Sequence, residues 1–245
     1  MQRAKQAKGD LLNEFPHGKI DIVEYDQSSL LSIKRAFDVL ISQHYDFDSI
    51  VFNAGLLCPN KEEKTKEGLP LTVGTNYIGL LYFIQLLKPF LDESNKERRI
   101  IFQGSLVAMS NAPKKDILSD KYKMFTQYDI SKKCVESLFY YLGINNKNKN
   151  IKYLLCEPGV TKTNIIRGMN GFVRGVGSAF LSTFTHSASK AALCGFTCLY
   201  EDNNLSAYIP RGILSISGYP KKYKFNKKRY VENYIMEGEA WLRKN

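Results

Sequence analysis

No apolar run in this chain of 245 residues approaches the ~18–20 residues that cross a bilayer. The opening residues, Met1-Gln2-Arg3-Ala4-Lys5, also lack the apolar core of a secretory leader. Both absences point to a soluble intracellular protein, expected in the cytoplasm. Cysteine and histidine are sparse. Cys58, Cys134, Cys156, Cys194 and Cys198 form no Cys-x-x-Cys pair, and His17, His44 and His186 are scattered. That pattern argues against a metal centre or a disulfide framework and fits a reducing compartment. Composition breaks, repeats and low-complexity blocks are missing too, so the chain, 44% hydrophobic, reads as one domain over residues 1–245.

What is abundant is positive charge, a formal +11. Such an excess raises a nucleic-acid-binding reading. The basic residues, however, lie in loops and ends (Lys61 to Lys66, Lys147 to Lys152, Lys221 to Arg229) and belong to no nucleic-acid-binding motif. A solvated basic surface, attractive to anionic ligands including a phosphorylated cofactor, is the better account, and no nucleic-acid partner is expected.

Periodicity supplies the architecture. Met1 to Asn13 is a polar helix candidate, broken by Phe15-Pro16-His17-Gly18. Lys19 to Tyr25 reads as a strand ending at Asp26. A helix follows from about Ser28 to Tyr45, with Leu30, Leu31, Ile33, Phe37 and Leu40 at helical spacing. Asp48 to Phe52 is an apolar strand closed by Asn53-Ala54-Gly55, and Leu71 to Leu91 a long apolar helix carrying Asn76 and Gly79. Further strands are expected at Arg99 to Gln103, at Ile151 to Cys156 before Glu157-Pro158-Gly159, and lastly at Gly212 to Ile216. Helices are expected from His186 to Leu199, with Cys194 and Cys198 as helical neighbours, and around Trp241. Strands alternating with helices imply an α/β fold with a doubly wound parallel sheet.

One stretch carries chemistry. Tyr128 and Lys132 open a helix four residues apart, so the hydroxyl and the ammonium can face one cleft. A phenol titrates near pH ~10, and a fixed cation beside it favours the phenolate. Ser105, past the carboxyl end of the preceding strand, stands where parallel sheets hold ligands and could bond a carbonyl oxygen. Alone, the pair is better read as a surface tyrosine lying on a lysine stem.

Taken together with Asp26, Asn53-Ala54-Gly55, Asn76 in Thr75-Asn76-Tyr77-Ile78-Gly79, and Pro158-Gly159 followed by Thr161 and Thr163, the chain resembles a short-chain dehydrogenase/reductase. The 23 residues from Ser105 to Tyr128 favour the retinol-dehydrogenase-like branch. The resemblance implies a Rossmann-like fold and a carbonyl–alcohol oxidoreductase using NADP or NAD, with the basic charge leaning to NADP. It implies that Tyr128 is the acid or base, Lys132 lowers its pKa and holds the nicotinamide ribose, Ser105 holds the substrate oxygen, and Asn76 positions a water linked to Lys132. Asn53, Ala54 and Gly55 would line the cofactor, Asp26 would touch the adenine, and Pro158, Gly159, Val160 and Thr163 would meet the nicotinamide end. Each has an ordinary structural account: turns at Asn53-Ala54-Gly55 and Pro158-Gly159, a helix-interior amide at Asn76, an N-cap at Asp26, and loop or cap threonines. Their joint order carries the resemblance. The segment Thr163 to Thr185 resembles the family's substrate loop, which implies a hydrophobic small molecule and leaves peripheral membrane contact open; a homodimer is also implied.

The resemblance has one gap. A dinucleotide site needs a strand feeding a glycine-rich turn whose helix N-terminus receives the pyrophosphate, and none precedes Asp26. The chain reads as the family fold without its first strand-loop-helix-strand unit, ~30 or more residues. In the strand order 3-2-1-4-5-6 those are the central strands. Lys19 to Tyr25 would then stand about three strand spacings of ~4.8 Å from Asp48 to Phe52, with nothing between. The strand must move over, or the sheet is open, or the chain is a fragment. Tight NAD(P) binding is not expected from this chain, and a non-catalytic family descendant acting as a binding protein is the alternative.

Overall fold

The computed structural model of the protein describes residues 1–57, 61–109, 116–118, 122–161 and 187–245. Helix α1 (Gln2–Glu14) buries no residue, as its polar sequence requires. Helix α2 (Leu30–Ser42) starts at Ser29, whose side chain accepts from the Ser32 amide, and buries Ile33, Ala36 and Phe37. After strand β1 (Ser49–Phe52) comes one long helical run: α3 (Leu71–Val73), a π-helical turn over Gly74–Ile78, and α4 (Gly79–Asp92). Strand β2 (Arg98–Gln103), helix α5 (Met124–Ile144) and strand β3 (Ile151–Cys156) follow. Helix α6 (Ala188–Cys198), strands β4 (Ser206–Pro210) and β5 (Pro220–Tyr223) and helix α7 (Glu232–Leu242) complete the described elements.

The sheet runs β1-β2-β3-β4-β5, parallel through β4, with β5 antiparallel on the edge. Successive residues of a strand face opposite sides, so β2 feeds two cores. Ile100 and Phe102 join the large core with α2, α4, α5 and α7, while Ile101 joins Leu154, Cys156, Cys194 and Cys198 under α6. The cysteine neighbours on α6 are packing residues. Across the large core Phe37, Phe83, Phe52, Phe102, Phe139, Phe225 and Tyr140 form a chain of ring contacts with centroids 5.3–6.4 Å apart, each worth roughly 0.5–1.5 kcal/mol beyond area burial.

Two expected strands do not form. Lys19 to Tyr25 has no strand structure, and β1 is the sheet edge. A strand is stable through its ladder partners; lacking them, this segment is held by side chains instead, Tyr25 edge-on to Phe83 and Asp21 accepting from the Tyr45 hydroxyl at 2.8 Å. Val51 on β1 is 45% exposed, although its partner Ile101 is fully buried, because α6 covers the second face only from β2 onward. Gly212 to Ile216 is a turn with a 3-10 segment at Ile213–Ser215, and the sheet is instead finished by β4 and β5. Two boundaries also move. Tyr128 lies in the second turn of α5 and not at its start, and the apolar helix is interrupted by the π-turn.

Candidate active site

The carboxyl ends of β1, β2 and β3 bring Asn53-Ala54-Gly55, Gly104-Ser105 and Glu157-Pro158-Gly159 to one end of the sheet, the end where open α/β sheets hold ligands. Three elements meet there through side chains. Asn76, 2% exposed on the π-turn, accepts from the Leu56 amide at 2.9 Å and donates to the Leu56 carbonyl at 3.0 Å, clamping the chain that leaves β1. The same amide donates to Ser131 Oγ at 3.0 Å, and Ser131 in turn donates to the Tyr128 carbonyl at 2.7 Å. The π-turn adds a residue to the helical register, a device frequent at functional sites.

Lys132 follows Ser131 on α5 and is buried. Its Nζ donates to the Gln103 carbonyl at 3.1 Å, two residues before Ser105. A side chain on Gly55 would come within 3.3 Å of Asn76 Oδ1 and 3.6 Å of Lys132 Nζ, so the bare glycine backbone, the Asn76 oxygen and the ammonium enclose one small space. Burial pushes the Lys132 ammonium below the usual lysine range, and the carboxyls of Glu157 and Glu136 pull it back up. Tyr128 is buried one helical turn before Lys132, and Ser105 is half-buried past the end of β2.

The remaining expected residues are placed as follows. Asn53, Ala54 and Gly55 are exposed along the open β1 edge, and Gly159 takes φ 73, a conformation suited to glycine. The Val160 amide donates to the Ile216 carbonyl at 2.8 Å. Asp26 is exposed and spends its carboxylate on a local turn, accepting from the Ser28 amide and hydroxyl at 2.9 and 2.7 Å. Its neighbour Gln27 is buried and donates to the Thr75 carbonyl at 2.7 Å, which fastens this segment to the helix of Asn76. Thr163 and the segment to Thr185 lie outside the described residues.

Sequence reading missed Ser131, Gln27, Glu136 and Glu157. For Glu136 a signal existed, since Tyr128, Lys132 and Glu136 fall at four-residue steps on one helix face. A shallow cleft lined by Phe196, Tyr200, Asp202 and Tyr208 lies elsewhere, near the start of β4, where Arg99 at the start of β2 bonds Asp202 at 2.6 Å. That is the amino end of the parallel strands, the wrong end for a ligand of this fold. Among the described residues no cluster of histidine, cysteine or carboxylates is placed to hold a metal ion, and no helix is long and apolar enough to cross a membrane.

Comparison with known proteins supplies the family. A family model described as enoyl-(acyl carrier protein) reductase matches residues 2–198. A short-chain dehydrogenase/reductase of Phomopsis amygdali is 37% identical over 113 residues, covering 41% of this chain and 34% of the relative. Mouse retinol dehydrogenase 14 is 25% identical over 177 residues, covering 67% and 52%. The chain therefore spans about a third to a half of the length of these relatives. Among solved structures, an uncharacterised protein of Mycobacterium paratuberculosis superposes with TM-score 0.66 at 18% identity, covering 97% of this chain and 81% of that one. Levodione reductase gives TM-score 0.63 at 14% identity, covering 79% and 76%, a likeness of fold. The largely parallel sheet, the ligand end it creates and the family match over residues 2–198 make this chain a member of the short-chain dehydrogenase/reductase family.

Proposed function

We propose that this chain carries the catalytic end of an oxidoreductase that interconverts a carbonyl and an alcohol on a hydrophobic small molecule, with NADP favoured over NAD by the net charge of +11. The observation that supports this reading is the shared space between Gly55, Asn76 and Lys132 at the carboxyl end of β1. A buried cation and an amide oxygen beside bare backbone suit a polar ribose edge, so the residues present fit the nicotinamide end of the cofactor. When bound, a nicotinamide cofactor supplies or takes up the electron pair of the reaction. The phosphate end has less support: the sequence holds no glycine-rich turn before β1, and Asp26 is occupied by its own turn.

On this reading Tyr128 gives a proton to the carbonyl oxygen in reduction, or takes it from the alcohol in oxidation. Lys132 eases loss of that proton by favouring the phenolate. Ser105 donates to the same oxygen and orients it. Asn76 holds the β1 loop against α5 through Leu56 and Ser131, and so keeps Gly55 open toward the cofactor. The test is nucleotide oxidation with a panel of apolar aldehydes and ketones at saturating NADPH or NADH. Tyr128→Phe is expected to lower turnover by about 10²–10⁴-fold. Turnover equal to the unsubstituted protein would overturn the reading.

A further inference from the structure

The π-helical turn that carries Asn76 depends on its neighbours for its shape. The Gly79 amide bonds the Gly74 carbonyl five residues back, a spacing that survives mostly as single turns set into α-helices. Both ends of the turn are glycines with no room for a side chain. A Cβ on Gly74 would lie 2.4 Å from the Thr65 methyl, and one on Gly79 2.0 Å from the Gln27 carbonyl oxygen. Relaxation to α-helical spacing would take one residue out of the turn and rotate the flanking segments against each other by about 100°. Asn76 would then leave Leu56 and Ser131.

Three successive residues of the turn each take a partner from a different part of the chain. The Thr75 carbonyl accepts from Gln27 at 2.7 Å, and the Asn76 amide clamps Leu56 and Ser131. The Tyr77 hydroxyl, on a fully buried side chain, donates to the Tyr234 carbonyl of α7 at 2.8 Å. The first two meetings belong to the site described above. The third reaches 157 residues along the chain to a helix that the proposed reaction does not use.

On α7 the seat for Tyr77 is a bare stretch of helix. A Cβ on Gly238 would stand 2.9 Å from Tyr77 Oη and 3.0 Å from its Cε1, so ring and helix backbone touch where only glycine lets them. Two further bonds fix the same helix: the Val231 amide donates to Ser137 Oγ of α5, and Glu237 accepts from the Ile117 amide, both at 3.1 Å. Tyr234 and Ile235 share the large core with Tyr77. Were α7 to leave, the buried Tyr77 hydroxyl would lose its acceptor, and the cost would fall on the turn that carries it. We propose that Tyr77 is a positioning residue: seated on Gly238 and bonded to Tyr234, it lets α7 hold the π-turn in register and so keeps Asn76 on Leu56 and Ser131.

This role deepens the function proposed above and rests on it, but it is measured on the full chain without cofactor or substrate, so the two fail separately. Hydrogen exchange of the Leu56 amide, which donates to Asn76 Oδ1, reports the clamp. Asn76→Ala gives the rate of an unclamped amide. Trp241, the single tryptophan of the chain, packs from α7 against the large core, so its fluorescence reports whether that helix is docked. Tyr77→Phe removes the hydroxyl and keeps the ring. Leu56 exchange is expected to rise by about tenfold, the scale of one buried hydrogen bond, while the Ile101 amide of β2 exchanges as before. Gly238→Ala pushes α7 off the ring, and is expected to shift the Trp241 emission and to bring Leu56 to the Asn76→Ala rate. Should one variant not fold, the other decides. Leu56 exchange unchanged in Tyr77→Phe, or unchanged in Gly238→Ala while Trp241 shifts, makes α7 a mere cover and overturns the proposal. Acceleration of Leu56 only in step with Ile101 is a loss of global stability and overturns it as well.

Discussion

Replacing Arg229 with methionine tests the electrostatics of the core independently of any chemistry. The Arg229 side chain is 13% exposed and its partner Glu136 1%, so a charge would be removed from a pair largely cut off from water. Breaking a buried pair from one side leaves the other charge unpaired and costs about 3–5 kcal/mol. At roughly 2 °C per kcal/mol for a domain of this length, Tm should fall by about 6–10 °C. Acid should rescue the variant. Without arginine the buried Glu136 carboxyl titrates above an unfolded glutamate, whose value is about 4.3, because burial raises it and the opposing cation is gone. The penalty is fully present above that raised folded value and fades as pH falls through it toward the unfolded range. Adding Glu136→Leu removes the stranded charge and should recover most of the loss, because an apolar pair of similar volume often replaces a buried ion pair without cost. The assay is urea unfolding of the single and double variants between about pH 5 and pH 8. A single variant within about 1 kcal/mol of the unsubstituted protein throughout that range would refute the reasoning, since surface pairs are worth that little.

Glu201 supports the opposite pH dependence: burial works against its charge, but hydrogen bonds from Lys222, Tyr208 and Asn203 hold its carboxyl down to about 2. Its stabilisation is therefore complete above the unfolded glutamate value and lost as pH falls toward about 2, so Glu201→Gln should flatten that acid limb of a pH–stability curve. In Gly79→Ala the new methyl would meet the Gln27 carbonyl oxygen at 2.0 Å, a Cβ against backbone that cannot swing aside. The helix-propensity gain of ~1 kcal/mol is outweighed, and a net loss of about 1–2 kcal/mol is expected by urea unfolding.

How much of the site could be read in advance depended on sequence distance. Tyr128, Lys132 and Glu136 share a helix face by arithmetic, and strand ends at Phe52, Gln103 and Cys156 mark the ligand end of a parallel sheet. The bond from Asn76 to Ser131 joins residues 55 apart, and that from Arg229 to Glu136 residues 93 apart. No local pattern encodes such meetings. The Asn76 amide is engaged by Leu56 and by Ser131, a partner visible only once α5 is packed.

The sequence by itself determined what depends on neighbours along the chain: the helical spacing of α2, α4 and α5, the apolar runs of β2 and β3, and the family order of motifs. Tertiary structure alone decided whether an eligible segment had partners. Lys19 to Tyr25 has a strand-like sequence and forms none, because a strand is completed by hydrogen bonds to another strand and none stands beside it. Glu157 reads as an ordinary turn residue, yet it is fully buried against Gly104, where desolvation raises its carboxyl above the usual range.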